Sequence, residues 1–129
     1  MIGFEEEYLD ILQNIEFGIV SVYQQYPDLT DLNVVFALES LIEQYTAEKI
    51  GRVPRQTSLT DKEHFIFNNV QQICEWRLGR KSLSKKINVK PRSIEEIIQC
   101  LKRILKSVQK WNKYYGKQGY LTFVSKYIR

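Results

Sequence analysis

Apolar side chains recur at alternating spacings of three and four residues in four stretches of the chain, which is the period of an amphipathic α-helix. The clearest stretch follows Ser93, which forms a capping-box pattern with Glu96. Its apolar positions keep this spacing for three heptads: Ile94, Ile97, Leu101, Ile104, Val108, Trp111 and Tyr115. We therefore predict a long helix here that breaks at Gly116 and Gly119.

Two further helices are predicted in the first half of the chain. The first covers residues 4–26 and ends at Pro27, which disfavours helical geometry at the preceding residue. The second begins with Thr30 or Asp31 as N-cap and ends near Gly51. Their inner faces carry Tyr8, Leu12, Ile15, Ile19, Val22 and Tyr26, then Val34, Leu38, Leu41 and Tyr45. Because the turn between them is short, we expect antiparallel neighbours.

A third helix is predicted between a loop, residues 51–59, and a basic connection, residues 80–92. It starts at a second capping-box pattern, Thr60 with Glu63, and is closed by Gly79. Its inner face reads Ile66 or Phe67, Val70, Ile73 or Cys74, and Leu78. The basic connection holds six Lys and Arg and no acid, so we expect it to be disordered.

Together these patterns predict an all-α fold in one domain, residues 1–129. Four helices of similar length suit an antiparallel four-helix bundle, for which we expect up-down-up-down order. A short additional C-terminal helix is indicated by the apolar residues Tyr120, Leu121, Val124, Tyr127 and Ile128. At 129 residues and 43% apolar composition, the chain is long enough to bury a core without disulfides or metal.

Charge is separated along the chain. The first 48 residues hold ten acids and no Lys or Arg, whereas the remainder holds nineteen Lys and Arg against five acids. The second half therefore has the charge expected of a surface for nucleic acid or an acidic protein. An internal explanation competes with this one, because the acidic helices can neutralise basic helices beside them.

The sharpest functional pattern is a row of lysines that follows the long helix from Lys102 to Lys117. Lys102, Lys106, Lys110, Lys113 and Lys117 recur by three or four residues, about 180° from the apolar face. We predict that sequence-nonspecific nucleic-acid binding, if it occurs, uses the basic region 77–117. The candidate contacts are Arg80, Lys81, Lys85, Lys86, Lys102, Arg103, Lys106, Lys110, Lys113 and Lys117.

The leading hypothesis is a different one, a non-enzymatic protein-interaction module that forms a homodimer. Phe17 and Val20 lie away from the inner face of the first helix, and Phe36 lies away from that of the second. These positions are the candidate subunit interface, since large apolar side chains outside the core are typical of contact surfaces.

Catalytic chemistry is not indicated. The single histidine, His64, follows Glu63 in a first helical turn. The two cysteines, Cys74 and Cys100, fall on or beside apolar faces, and neither has a suitably placed histidine on its own helix. We predict no catalytic residues, no metal site, no cofactor and no enzymatic activity. With too few cysteines for a disulfide framework, no signal-peptide pattern and no apolar run of about 20 residues, we expect a soluble cytoplasmic protein without membrane contact.

Arg77 continues the inner stripe of the third helix. Its stem can cover the core while the guanidinium emerges at the helix end, or it can form a buried ion pair with an acid of the first or second helix. Both structural roles are favoured over a binding role.

Overall fold

The computed structural model describes the backbone of residues 2–80 and 92–126, and side chains from residue 9 onward within those ranges. The helices are α1 (Ile2–Gln25), α2 (Asp31–Ile50), α3 (Asp61–Arg77), α4 (Ile94–Tyr115) and the short α5 (Gly119–Val124). No strand occurs in these two ranges. The predicted all-α fold, with four main helices packed against each other and a short additional C-terminal helix, is confirmed. The expected disorder of the basic connection falls on residues 81–91, which lie outside the described part of the chain.

The predicted caps set the helix starts. Thr60 Oγ1 accepts from the backbone N–H of Glu63 at 3.3 Å, and the Thr60 N–H donates to Glu63 Oε1 at 3.0 Å, which completes a capping box. Ser93 Oγ accepts from the Glu96 N–H at 3.2 Å, but the Glu96 carboxylate turns to Arg92 instead of reaching back. At the other end of α2, Gly51 has φ of 73°, a left-handed conformation that releases the chain from the helix.

The order of the helices differs from the expectation. The lengthwise packing pairs are α1 with α3, α3 with α2, α2 with α4, and α4 with α1, so α1 lies diagonally opposite α2. Contacts of Asn33 with Glu63 and of Tyr45 with Glu75 show that α2 and α3 run parallel. The expected up-down-up-down order, with α1 and α2 as neighbours, is therefore wrong. The observed order is up-down-down-up.

The parallel pair requires a connection that returns along the bundle. The ten residues from Gly51 to Thr60 contain no helix, and an extended chain of this length reaches about 33 Å. Helix α2 has 20 residues and is about 30 Å long, so this crossover loop can span it. Glu43 fixes the loop, since it accepts from Arg52 at 2.6 and 3.0 Å and from the Arg55 N–H at 2.9 Å.

The predicted inner faces form the core. Helices α1 and α2 bury every predicted inner position except Tyr26, which is half-buried, and Tyr8, whose side chain lies outside the described set. Helix α4 buries Ile97, Leu101, Ile104 and Val108, yet Tyr115 at its end is 47% exposed. The last turn of α4 therefore extends past the core, and its aromatic side chains must pack against another element of the chain.

Candidate nucleic-acid interface

The lysine row lies on the outer face of α4. Lys102, Lys106, Lys110 and Lys113 are all exposed, and Lys117 is exposed just beyond the helix end. Successive members are three or four residues apart, so the row advances about 4.5–6 Å per step and the four helical lysines span about 16 Å. The expected exposed row is present.

Four acids of the first half are held by cations that do not belong to this row. Asp10 pairs with Arg77, Asp28 with Lys62, and Glu48 with Arg80 at 2.5 Å. Glu43 is bound by Arg52, as described above. The internal neutralisation anticipated from the sequence therefore operates through the crossover loop and α3.

Ion pairs do not neutralise most of the row in the part of the chain that the structure describes. Within residues 9–80 and 92–126, no acidic side chain forms an ion pair with Lys106, Lys113 or Lys117. Lys102 is near Glu95, whose pKa is lowered chiefly by a hydrogen bond from Lys49 and further by the Lys102 charge. No acid follows Glu96 in the sequence, so α4 offers no negative charge beyond its first turn.

An aromatic cluster, consisting of Trp111, Tyr114, Tyr115 and Phe123, adjoins the C-terminal end of the row. The Trp111 ring stacks nearly parallel to Phe123, with centroids 4.2 Å apart, and to Tyr115 at 5.5 Å. Tyr114 is tilted by 45° to Trp111 at 5.7 Å. Lys110 Nζ lies 4.9 Å from the Trp111 centroid, so the cluster and the lysine row are continuous.

Two glycines build this cluster by turning the chain back at the end of α4. Gly116 has φ of 90° and ψ of −154°, a conformation essentially limited to glycine. At Gly119 a Cβ atom would lie 1.8 Å from the Trp111 carbonyl oxygen. Gly119 therefore does more than end α4. It is the first residue of α5, and the absence of a side chain there lets α5 approach α4 closely. The close approach lets Phe123 stack on Trp111.

The chain matches no protein-family model, no curated protein and no solved structure.

The remaining predicted contact residues do not join the row. Arg80 is paired with Glu48 and Glu75 and lies at the end of α3. Arg103 is exposed and lines a groove of about 290 Å³ between α1 and α4. Lys81, Lys85 and Lys86 lie outside the described residues.

That groove is not suited to phosphate. Its floor includes Leu12, Ile104 and Phe123, and Glu16 contributes a carboxylate that accepts from the Tyr120 hydroxyl at 3.1 Å. A carboxylate disfavours an anionic ligand, so the outer face of α4 is the better phosphate surface.

The candidate interface residues are divided between two sides of the bundle. Phe17 is 49% exposed on α1 and Phe36 is 51% exposed on α2, and these helices lie diagonally opposite each other. Val20 is half-buried and packs against the core. The three side chains therefore do not form one continuous patch. Phe36 instead lies one turn from Leu32, which is 55% exposed.

Other chemistry-bearing residues have structural surroundings. Cys74 and Cys100 are fully buried, and burial raises the pKa of the Cys74 thiol. His64 is exposed at the start of α3. Among the described residues, no group of three or more His, Cys, Asp and Glu side chains is arranged to hold a metal ion, and no helix is both long and apolar enough to cross a membrane.

The aromatic cluster is not visible in the sequence pattern. Periodicity places Trp111 and Tyr115 on the inner face of α4, whereas their partner Phe123 belongs to a separate element. The available signal was the interleaving of aromatic and basic residues in the segment from Lys110 to Lys117.

Proposed function

We propose that this protein binds nucleic acid without sequence preference, through the lysine row on α4. The observation that carries the proposal is the contrast between the row and the other cations. Arg52, Lys62, Arg77 and Arg80 are used to neutralise acids within the fold, whereas the row projects four helical lysines into solvent. Regularly spaced cations of this kind can follow a phosphate backbone and release its condensed counterions.

Weak sequence preference follows from the same side chains. A lysine ammonium is a point charge that contacts phosphate well but lacks the planar fork with which arginine reads guanine. Phosphate contacts fix the position of a ligand and carry no base information. The row should accordingly bind many sequences with similar affinity.

A matched pair of double variants tests this proposal. Lys106→Gln with Lys113→Gln removes two charges from the row, and Lys49→Gln with Lys62→Gln removes two charges that form exposed ion pairs elsewhere. At about 50 mM salt each phosphate contact is worth roughly tenfold in affinity, so the first variant should bind an oligonucleotide roughly 10- to 100-fold more weakly. The control should bind like the parent in fluorescence anisotropy. Equal weakening in both variants would contradict a site on α4.

Self-association is a second proposal, supported by Leu32 and Phe36. These exposed apolar side chains lie one helical turn apart on the outer face of α2, which can pack against the same face of a second copy. We propose a homodimer that uses α2 and not α1. The buried free thiols Cys74 and Cys100 suit a reducing compartment, and we propose the cytoplasm.

A further inference from the structure

We infer that the preferred ligand is single-stranded nucleic acid, one base of which stacks on Tyr114. This inference rests on the proposed function of the lysine row. It adds a second contact, made by the aromatic cluster, that favours single-stranded over double-stranded ligands.

Tyr114 has the exposure that a stacking residue requires. Its ring is 70% exposed, the highest value among the large aromatic side chains of the described residues. Tyr115 is less open, since the Lys126 ammonium lies 5.0 Å from its ring centroid and 3.2 Å from its hydroxyl. Tyr114 is therefore the member of the cluster that can receive a base.

The ring is also supported from below. Trp111 lies 5.7 Å from Tyr114 and is itself held between α4 and α5 by its stacking on Phe123. A tyrosine has only two side-chain torsions to restrict, and contact with a packed ring limits them further before the ligand arrives. The entropy lost on stacking is correspondingly small.

The position of Tyr114 next to the lysine row completes the site. Lys110 precedes Tyr114 by four residues, so the two side chains are neighbours on the same helical face, about 5–6 Å apart at Cβ. A phosphate held by Lys110 or Lys113 would place the adjoining base within reach of Tyr114. Charge and stacking surface thus occur together at the end of the row.

Stacking discriminates between single and double strands because the face of a base is free only when the base is unstacked. In a duplex the bases are stacked on one another, and only their edges and the phosphates are accessible from outside. The lysine row can contact the phosphates of both forms, whereas Tyr114 can contribute only to a single strand. Every base has a π-face, so the preference should be for strandedness and not for sequence.

Tyr114→Ala tests the inference, with binding measured for labelled oligothymidylate and for a duplex of equal length. Loss of one base stack should weaken binding of the single strand by at least about fivefold and leave the duplex unchanged. Tyr114→Phe keeps a stacking ring and should bind like the parent. Phe17→Ala removes a comparably exposed ring on α1 and serves as the control.

The two proposals fail in different ways. If Tyr114→Ala binds both ligands like the parent while Lys106→Gln with Lys113→Gln weakens both, the single-strand inference is overturned and the lysine row stands. Equal loss of duplex and single-strand binding in Tyr114→Ala also overturns the inference. If the parent binds neither ligand, or binds polyglutamate as tightly as oligothymidylate, the nucleic-acid function itself fails.

Discussion

Asp31, at the start of α2, makes buried hydrogen bonds to two other helices. It is the first residue of α2 and is completely buried, where it accepts from the Tyr23 hydroxyl and from the Tyr120 N–H at 3.0 Å. Burial raises the pKa of this carboxyl, and the hydrogen bonds from Tyr23 and Tyr120 oppose that rise. One side chain thus joins α1, α2 and α5, and it holds the turn that carries the aromatic cluster.

Replacement of Asp31 by Ala should destabilise the protein by about 2–6 kcal/mol. The variant leaves the Tyr23 hydroxyl and the Tyr120 N–H buried without their acceptor, and each such group costs about 1–3 kcal/mol. Asp61 is the matched control, because it is likewise the first residue of its helix but is exposed. Asp61→Ala should cost less than about 1 kcal/mol. Urea unfolding measures both values, and equal losses would contradict the role given to Asp31.

Arg77 shows how far a single residue could be interpreted from its sequence position. The stripe on α3 predicted that its stem lies inward, and the side chain is buried with Asp10 of α1 as its ion-pair partner. An ion pair with an acid of α1 was one of the two structural roles anticipated, but only its arginine end is buried, since the Asp10 side chain is exposed. Its partner could not be chosen from sequence, because that choice depends on which helix packs against α3.

At the scale of elements, helix positions were predictable and their connection was not. Periodicity and caps are local, so the starts of α3 and α4 follow from Thr60 and Ser93. A loop of ten residues is long enough either to turn back or to run the length of α2. The contacts of the loop with Glu43 hold it along α2, and these contacts form only in the folded chain. The aromatic cluster was hidden for the same reason, since Trp111 and Phe123 meet only in the folded state.

The crossover loop gives a prediction about pH. A hydrogen bond from Arg52, helped by one from the Arg55 N–H, lowers the pKa of Glu43 from 4.5 to about 2. A carboxyl whose pKa is lowered by folding stabilises the fold above its ordinary pKa, and this contribution is lost as pH falls towards 2. In a carbon-detected NMR titration, Arg52→Gln should return the Glu43 pKa towards 4.5. Lys62→Gln should leave it unchanged, and a parent value near 4.5 would contradict the tether.

At the scale of the whole molecule, the division of charge along the sequence becomes a division between faces. Four acids of the first half, Asp10, Asp28, Glu43 and Glu48, are paired with Arg77, Lys62, Arg52 and Arg80, and so part of the imbalance between the two halves is cancelled inside the fold. The surplus that remains on the described residues is concentrated on α4 and on Lys117 and Lys126, which flank α5. A net charge of +4 therefore understates the local potential at this face.

The proposed homodimer makes a prediction at the same scale. Phe36→Ser should give a folded monomer in light scattering at micromolar concentration, because it removes the central apolar contact of the α2 face. Phe17→Ser changes an equally exposed phenylalanine on the diagonally opposite helix and should leave the dimer intact. A parent protein that is monomeric, or a Phe36→Ser protein that remains dimeric, would contradict this interface.

The most direct measurement is the salt dependence of oligonucleotide binding by the parent and by a variant with Lys102, Lys106, Lys110 and Lys113 all changed to Gln. Four phosphate contacts predict a log–log slope of about −3 to −4 that these changes bring close to zero. Glutamine favours helix and the four positions are exposed, so the circular dichroism spectrum should be unchanged. No binding by the parent at about 50 mM salt, or a slope that persists in the variant, would contradict a phosphate-binding row on α4.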